Sequence, residues 1–72
     1  MKILLPNAAA AGSLQHYLER CGCIVTRVDD RTIEAAPPPR SLRTDLATTE
    51  LQAYVHVWRE LNPQVEVTIA GL

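Results

Sequence analysis

A chain of 72 residues makes one domain near the lower limit at which a single hydrophobic core suffices, and 47% hydrophobic residues with no Phe and one Trp make that core aliphatic. Seven Lys+Arg against eight Asp+Glu leave a formal charge of −1, which excludes the basic field that draws in nucleic acid or an anionic membrane. The two cysteines, Cys21 and Cys23, stand at i, i+2, poorly spaced for bridging each other and unlike a CxxC redox or zinc pair, so the expectation is reduced, mostly buried thiols in a cytoplasmic protein.

Residues 2–5, KILL, form a short apolar run suited to a strand in the middle of a sheet, and Pro6-Asn7 ends it. The run is too short for the apolar region of a signal peptide, and no segment approaches the ~20 apolar residues of a membrane span. Ser13 as N-cap predicts a helix over 13–21, with Asn7 as an alternative start a turn and a half earlier. Leu14, Tyr17, Leu18 and Cys21 give it a core stripe, Gln15, His16 and Glu19 an outer face, and Gly22 a left-handed C-terminal cap. Residues 23–28 and 31–36 read as two β-branched strands joined by an Asp29-Asp30 turn. A loop of those two aspartates alone pairs Ile24 with Ala35 and Thr26 with Ile33 on one face, and Val25 with Glu34 and Arg27 with Thr32 on the other. A slip of one residue would exchange the faces.

The three prolines 37–39 stop the strand, and 40–48 form a polar connection. The clearest helical periodicity lies over 49–61, where Leu51, Tyr54, Val55, Trp58 and Leu61 share one side and Gln52, His56, Arg59 and Glu60 the other. Thr49 and Gln52 fit a capping box, and Asn62-Pro63 stops the helix. Leu46, Ala53 and Val57 widen its apolar arc, which predicts contact with more than the sheet. Residues 64–69 alternate, with Val65, Val67 and Ile69 on one side and Glu66 and Thr68 on the other, as a half-buried strand does.

The order β-α-β-β-α-β predicts an α+β, ferredoxin-like fold, with two helices on one face of a four-stranded antiparallel sheet and a core in which strand residues such as Ile24 and Val28 meet helix residues such as Trp58 and Leu61. Its uncovered face is expected to show Lys2, Leu4, Val25, Arg27, Thr32, Glu34, Glu66 and Thr68, with Arg27 and Glu34 as a cross-strand pair. RNA-binding domains of this topology stack bases on aromatic residues of that face, and this sequence places none there, so no nucleic acid is expected. Leu4 and Val25 are instead candidates for a partner's surface.

The same order and length resemble the ACT family of small regulatory domains, in which the first strand-helix loop helps bind an amino acid at a dimer edge. That resemblance implies a small-ligand site at Asn7, Gly12 and Ser13, where Gly12 is the one glycine available to match the family's loop glycine. A helix N-terminus there favours a carboxylate.

His16 and His56, the only histidines, fall on outer helix faces without metal-ligand spacing, and the His56 to Glu60 step suits a surface pair. Cys21 points into the core by its helical phase, whereas Cys23, sharing a face with Val25 and Arg27, is the more accessible thiol. No base is positioned beside either, so neither catalysis nor a cofactor nor a metal is expected. Arg40 and Arg43, in PPPRSLRTD, form the only local basic pair, and the prolines before them read as a spacer. The functional expectation is a binding protein that self-associates as a homodimer and meets a protein partner, through Leu46, Ala53 and Val57 on the second helix, Leu4 and Val25 on the sheet, or the 40–43 connection.

Overall fold

The computed structural model describes residues 1–37 and 44–70, with the backbone alone for 44–48. In chain order the elements are β1 (Lys2–Leu4), α1 (Ala8–Arg20), β2 (Ile24–Asp29), β3 (Thr32–Ala36), α2 (Thr44–Leu61) and β4 (Thr68–Ala70). The strands form one antiparallel sheet in the order β2-β3-β1-β4, the ferredoxin-like arrangement expected from the sequence. Ile3 and Leu5 of the first strand segment and Ile33 and Ala35 of β3 join Leu14 and Leu18 of α1 and Leu51, Val55 and Trp58 of α2 in one buried cluster. Both helices therefore cover the same face, and Lys2, Leu4 and Glu34 point the other way.

Helix α1 begins at Ala8, earlier than the Ser13 start. Asn7 is extended (φ −157°) and its side-chain Oδ1 accepts from the Ala10 N–H at 2.8 Å, while its carbonyl accepts from the Ala11 N–H at 3.1 Å. Asparagine is as good an N-cap as serine, and four alanines, the strongest helix formers, follow it at once. The early start also buries Ala10 and Ala11 against the sheet, which a helix opening at Ser13 would leave in a loop. At the other end Gly22 (φ 93°) donates to the Glu19 carbonyl and Cys23 N–H to the Leu18 carbonyl, both at 3.0 Å, closing a Schellman motif. That closure delivers Cys23 into the core.

The hairpin departs from the expected register by one residue. Val25 lies opposite Ala35, Thr26 opposite Glu34 and Arg27 opposite Ile33, and Asp29 opposite Thr32 leaves Val28 as a bulge. Strand β2 instead runs on through Asp29, whose side chain accepts from the Arg31 N–H at 2.8 Å, and the turn falls at Asp30 and Arg31. The backbone N–H of Arg31 and the hydroxyl of Thr32 hold the Asp29 carboxyl below its usual range. The slip exchanges the faces of β2: Val25 packs against the core, while Ile24 and Val28, expected inside, are 54% and 52% exposed.

Helix α2 starts at Thr44, upstream of Thr49, so Thr49 is an interior helical residue and the expected capping box is not the helix start. Strand β4 pairs with β1 over three residues only. The alternation expected over 64–69 persists in burial, with Val65, Val67 and Ile69 packed on the core and Glu66 and Thr68 exposed. Pairing stops at Thr68 because β1 ends at Leu4 and Pro6 follows, so 65–67 have no neighbour to continue the ladder.

Candidate functional site

Two surfaces combine backbone or side-chain chemistry with apolar area. The first is the outer edge of β2. In β3 the Ala35 N–H donates to the Met1 carbonyl at 2.7 Å, and just before the strand the Arg31 carbonyl accepts from the Leu5 N–H at 2.8 Å. The odd-numbered positions of β3 thus direct their backbone groups at β1. Their partners across the hairpin, Val25 opposite Ala35 and Arg27 opposite Ile33, consequently turn their own N–H and C=O groups away from the sheet. On the open face this edge carries Ile24 and Thr26, and Val28 is exposed at its bulge.

The Arg27 side chain lies on the helix side, where its Nε donates to Gln15 Oε1 at 3.1 Å and its Nη1 to the Asp30 carbonyl at 3.3 Å. A cation beside an edge strand commonly blocks pairing with another chain, but these bonds draw this guanidinium over the flank of α1. The expected open-face pair of Arg27 with Glu34 is therefore absent, and Glu34 accepts from the Met1 amino group at 3.0 Å.

The second surface is a groove of about 560 Å³ between α1 and α2, bordered by Tyr17, Trp58, Leu61, His16 and Arg20. Trp58 is buried beneath it, and Leu61, expected in the core, is 68% exposed at its rim. On the α1 side the groove is lined by Ser13, His16, Tyr17, Arg20 and Cys21, and Leu61 stays uncovered beside them. Burial and then the neighbouring Cys21 raise the Tyr17 phenol above its ordinary value. Deeper in α2, Tyr54 donates to Glu50, and chiefly through that bond its phenol is pushed up to about 12.

The residues expected at a small-ligand site are not gathered in one place. Asn7 uses its side-chain oxygen as the helix cap, a Cβ added at Gly12 would meet the Arg27 Nη2 at 3.4 Å, and Ser13 borders the inter-helix groove. Of the expected interaction residues, Leu4 is on the open face and 38% exposed, whereas Val25 and Arg27 belong to the helix-covered face. Ala53 and Val57 are exposed on α2. Leu46 lies within α2, its side chain outside the described residues, as are Arg40 and Arg43 entirely. The cysteines reverse their expected order: Cys23 is buried and Cys21 half-buried. Residue 23 shares its face with Val25 as expected, but that face is the core.

His56 Nε2 and Glu60 Oε1 stand 3.6 Å apart as the expected surface pair. Among the described residues no group of three or more His, Cys, Asp or Glu is arranged to hold a metal, and no helix is long and apolar enough to cross a membrane. The exposed Ile24, Val28 and Leu61 were missed by sequence reasoning because each sits in a periodic apolar pattern. Only the bulge and the polar composition of α1 opposite Leu61 distinguish them. Comparison of the chain with protein-family models, curated proteins and solved structures finds no match.

Proposed function

We propose that this chain is a non-enzymatic binding protein of the cytoplasm that self-associates edge to edge through β2, and that the dimer so formed is the unit that meets a protein partner. The observation that carries this reading is the outward direction of the Val25 and Arg27 backbone groups on a strand that has no lysine or proline to guard it.

A two-fold axis passing through Thr26 gives a self-complementary register. Val25 of one copy exchanges both backbone bonds with Arg27 of the other, Thr26 faces its own counterpart, and Ile24 faces Val28. The pairing covers the two exposed β-branched side chains, Ile24 and Val28, and adds cross-strand contacts of about 0.2–1 kcal/mol each. The opposite edge offers only the three residues of β4 and is the poorer template.

The test is Thr26→Lys. Thr26 is exposed and opposite Glu34, so a lysine there suits the monomer's own sheet, yet in the dimer it sets two like charges at the axis. Sedimentation over roughly a hundredfold range of concentration should show a monomer-dimer equilibrium for the natural chain and a monomer throughout for the variant. A natural chain that stays monomeric at the highest concentration, or a Thr26→Lys chain that dimerises equally well, overturns the reading.

A further inference from the structure

The groove between α1 and α2 has a charge pattern unlike that of the whole chain. The protein carries a formal charge of −1, yet the charged or chargeable groups bordering the groove are Arg20, His16 and the weakly acidic Tyr17 and Cys21, and no carboxylate lines it. Arg20 and His16 make no ion pair or hydrogen bond among the described residues, whereas Arg27, the other arginine beside α1, is bonded to Gln15 and Asp30. The apolar part of the lining is equally specific: the buried Trp58 beneath, the half-buried Tyr17 to one side, and Leu61, the most exposed large hydrophobic residue described. At the end of α2 the Trp58 carbonyl accepts from the Asn62 backbone N–H at 3.0 Å and side-chain Nδ2 at 2.9 Å.

We propose that this groove binds a small amphiphilic carboxylate, with its apolar chain along Trp58 and Leu61 and its head group on Arg20. A guanidinium receives a carboxylate through two parallel N–H···O bonds, and a planar fork with no competing partner is ready for that geometry. The volume lies within the range of roughly 300–1,000 Å³ that small-molecule sites occupy. His16, one turn before Arg20 on the same helix, adds a second donor at the head-group end. Leu61 then has a reason to lie at a surface where α1 does not cover it.

Trp58 is the only tryptophan and lines the groove, so its fluorescence comes from one residue at this site. The probe is octanoate below its micellar concentration, with octanol and octylammonium as the neutral and cationic counterparts. Octanoate should give a saturable change in Trp58 emission, and neither counterpart should match it at the same concentration. Arg20→Gln should weaken octanoate binding about tenfold, the loss expected for a charge-assisted bidentate contact, and Leu61→Ser should weaken it as well. Both residues are exposed, so the variants keep the fold, which circular dichroism checks directly. Equal responses to octanoate and octanol, an Arg20→Gln titration indistinguishable from that of the natural chain, or no saturable change would each overturn the proposal. No β2 residue lines the groove, so Thr26→Lys should leave octanoate binding unchanged even where it abolishes self-association.

Discussion

Two substitutions one and a half turns apart decide which residue starts α1. Asn7→Ala removes the acceptor that holds the Ala10 N–H at 2.8 Å and leaves that donor to water, a loss of about 1 kcal/mol for an N-cap. For 72 residues the unfolding entropy is about 0.15 kcal/mol per kelvin, so the midpoint should fall by roughly 6–7 °C. Ser13→Ala acts in the opposite direction. Ser13 is an exposed residue in the second turn of the helix, where alanine is the better former by about 0.5 kcal/mol, and the midpoint should rise by roughly 3 °C. Asn7→Gly supplies a third point, since glycine at an N-cap costs only a few tenths of a kcal/mol. Thermal unfolding followed by far-ultraviolet circular dichroism, at a concentration where the natural chain is monomeric, measures all three. A Ser13→Ala chain less stable than the Asn7→Ala chain would refute the cap assignment and return the helix start to Ser13.

The hairpin register makes a comparable pair. Ile33 is fully buried and Ile24 exposed, so Ile33→Ala should cost about 2–5 kcal/mol in urea unfolding and Ile24→Ala well under half of that; similar costs would mean that the faces of β2 are not as described. Tyr54 gives a pH signature. Its folded-state value of about 12 lies above the ordinary 10.0, so the neutral phenol stabilises the fold fully below pH 10 and that contribution is lost as pH rises through about 12. In a Tyr17→Phe background the phenolate absorbance of Tyr54 should therefore rise late, and Glu50→Gln should bring its midpoint back towards the ordinary value; an unchanged midpoint would remove Glu50 as the cause.

What could be read beforehand depended on whether a signal was local or needed two segments. The stripe of Leu14 and Leu18, the stripe of Leu51, Val55 and Trp58, and the Gly22 cap follow from helical spacing and from φ preferences within a few residues, and all appear in the structure. The β2 register did not follow, because IVTRV alternates acceptably in either phase. Ile24 and Val28 or Cys23 and Val25 can each supply an apolar face. The choice was made where α1 closes: Gly22 and the Cys23 N–H bond to Leu18 bring Cys23 in facing the core, and the side chains after it keep that phase as far as the bulge at Val28. The start of α1 was equally open to two readings, and the Asn7 cap makes Gly12 and Ser13 parts of a helix instead of a loop.

The amino-acid order by itself determined that this chain is α+β, that its strands and helices alternate as β-α-β-β-α-β, and which helix faces are apolar, because periodicity and turn chemistry act over short stretches of chain. Tertiary structure alone decided which face of β2 is buried, which backbone groups are left pointing outward, and that Leu61 lies bare beside Arg20. Those outcomes depend on how strands register and helices meet across distant parts of the chain, and the free energy separating one register from the next resides in contacts that exist only once the sheet and its helices have closed together.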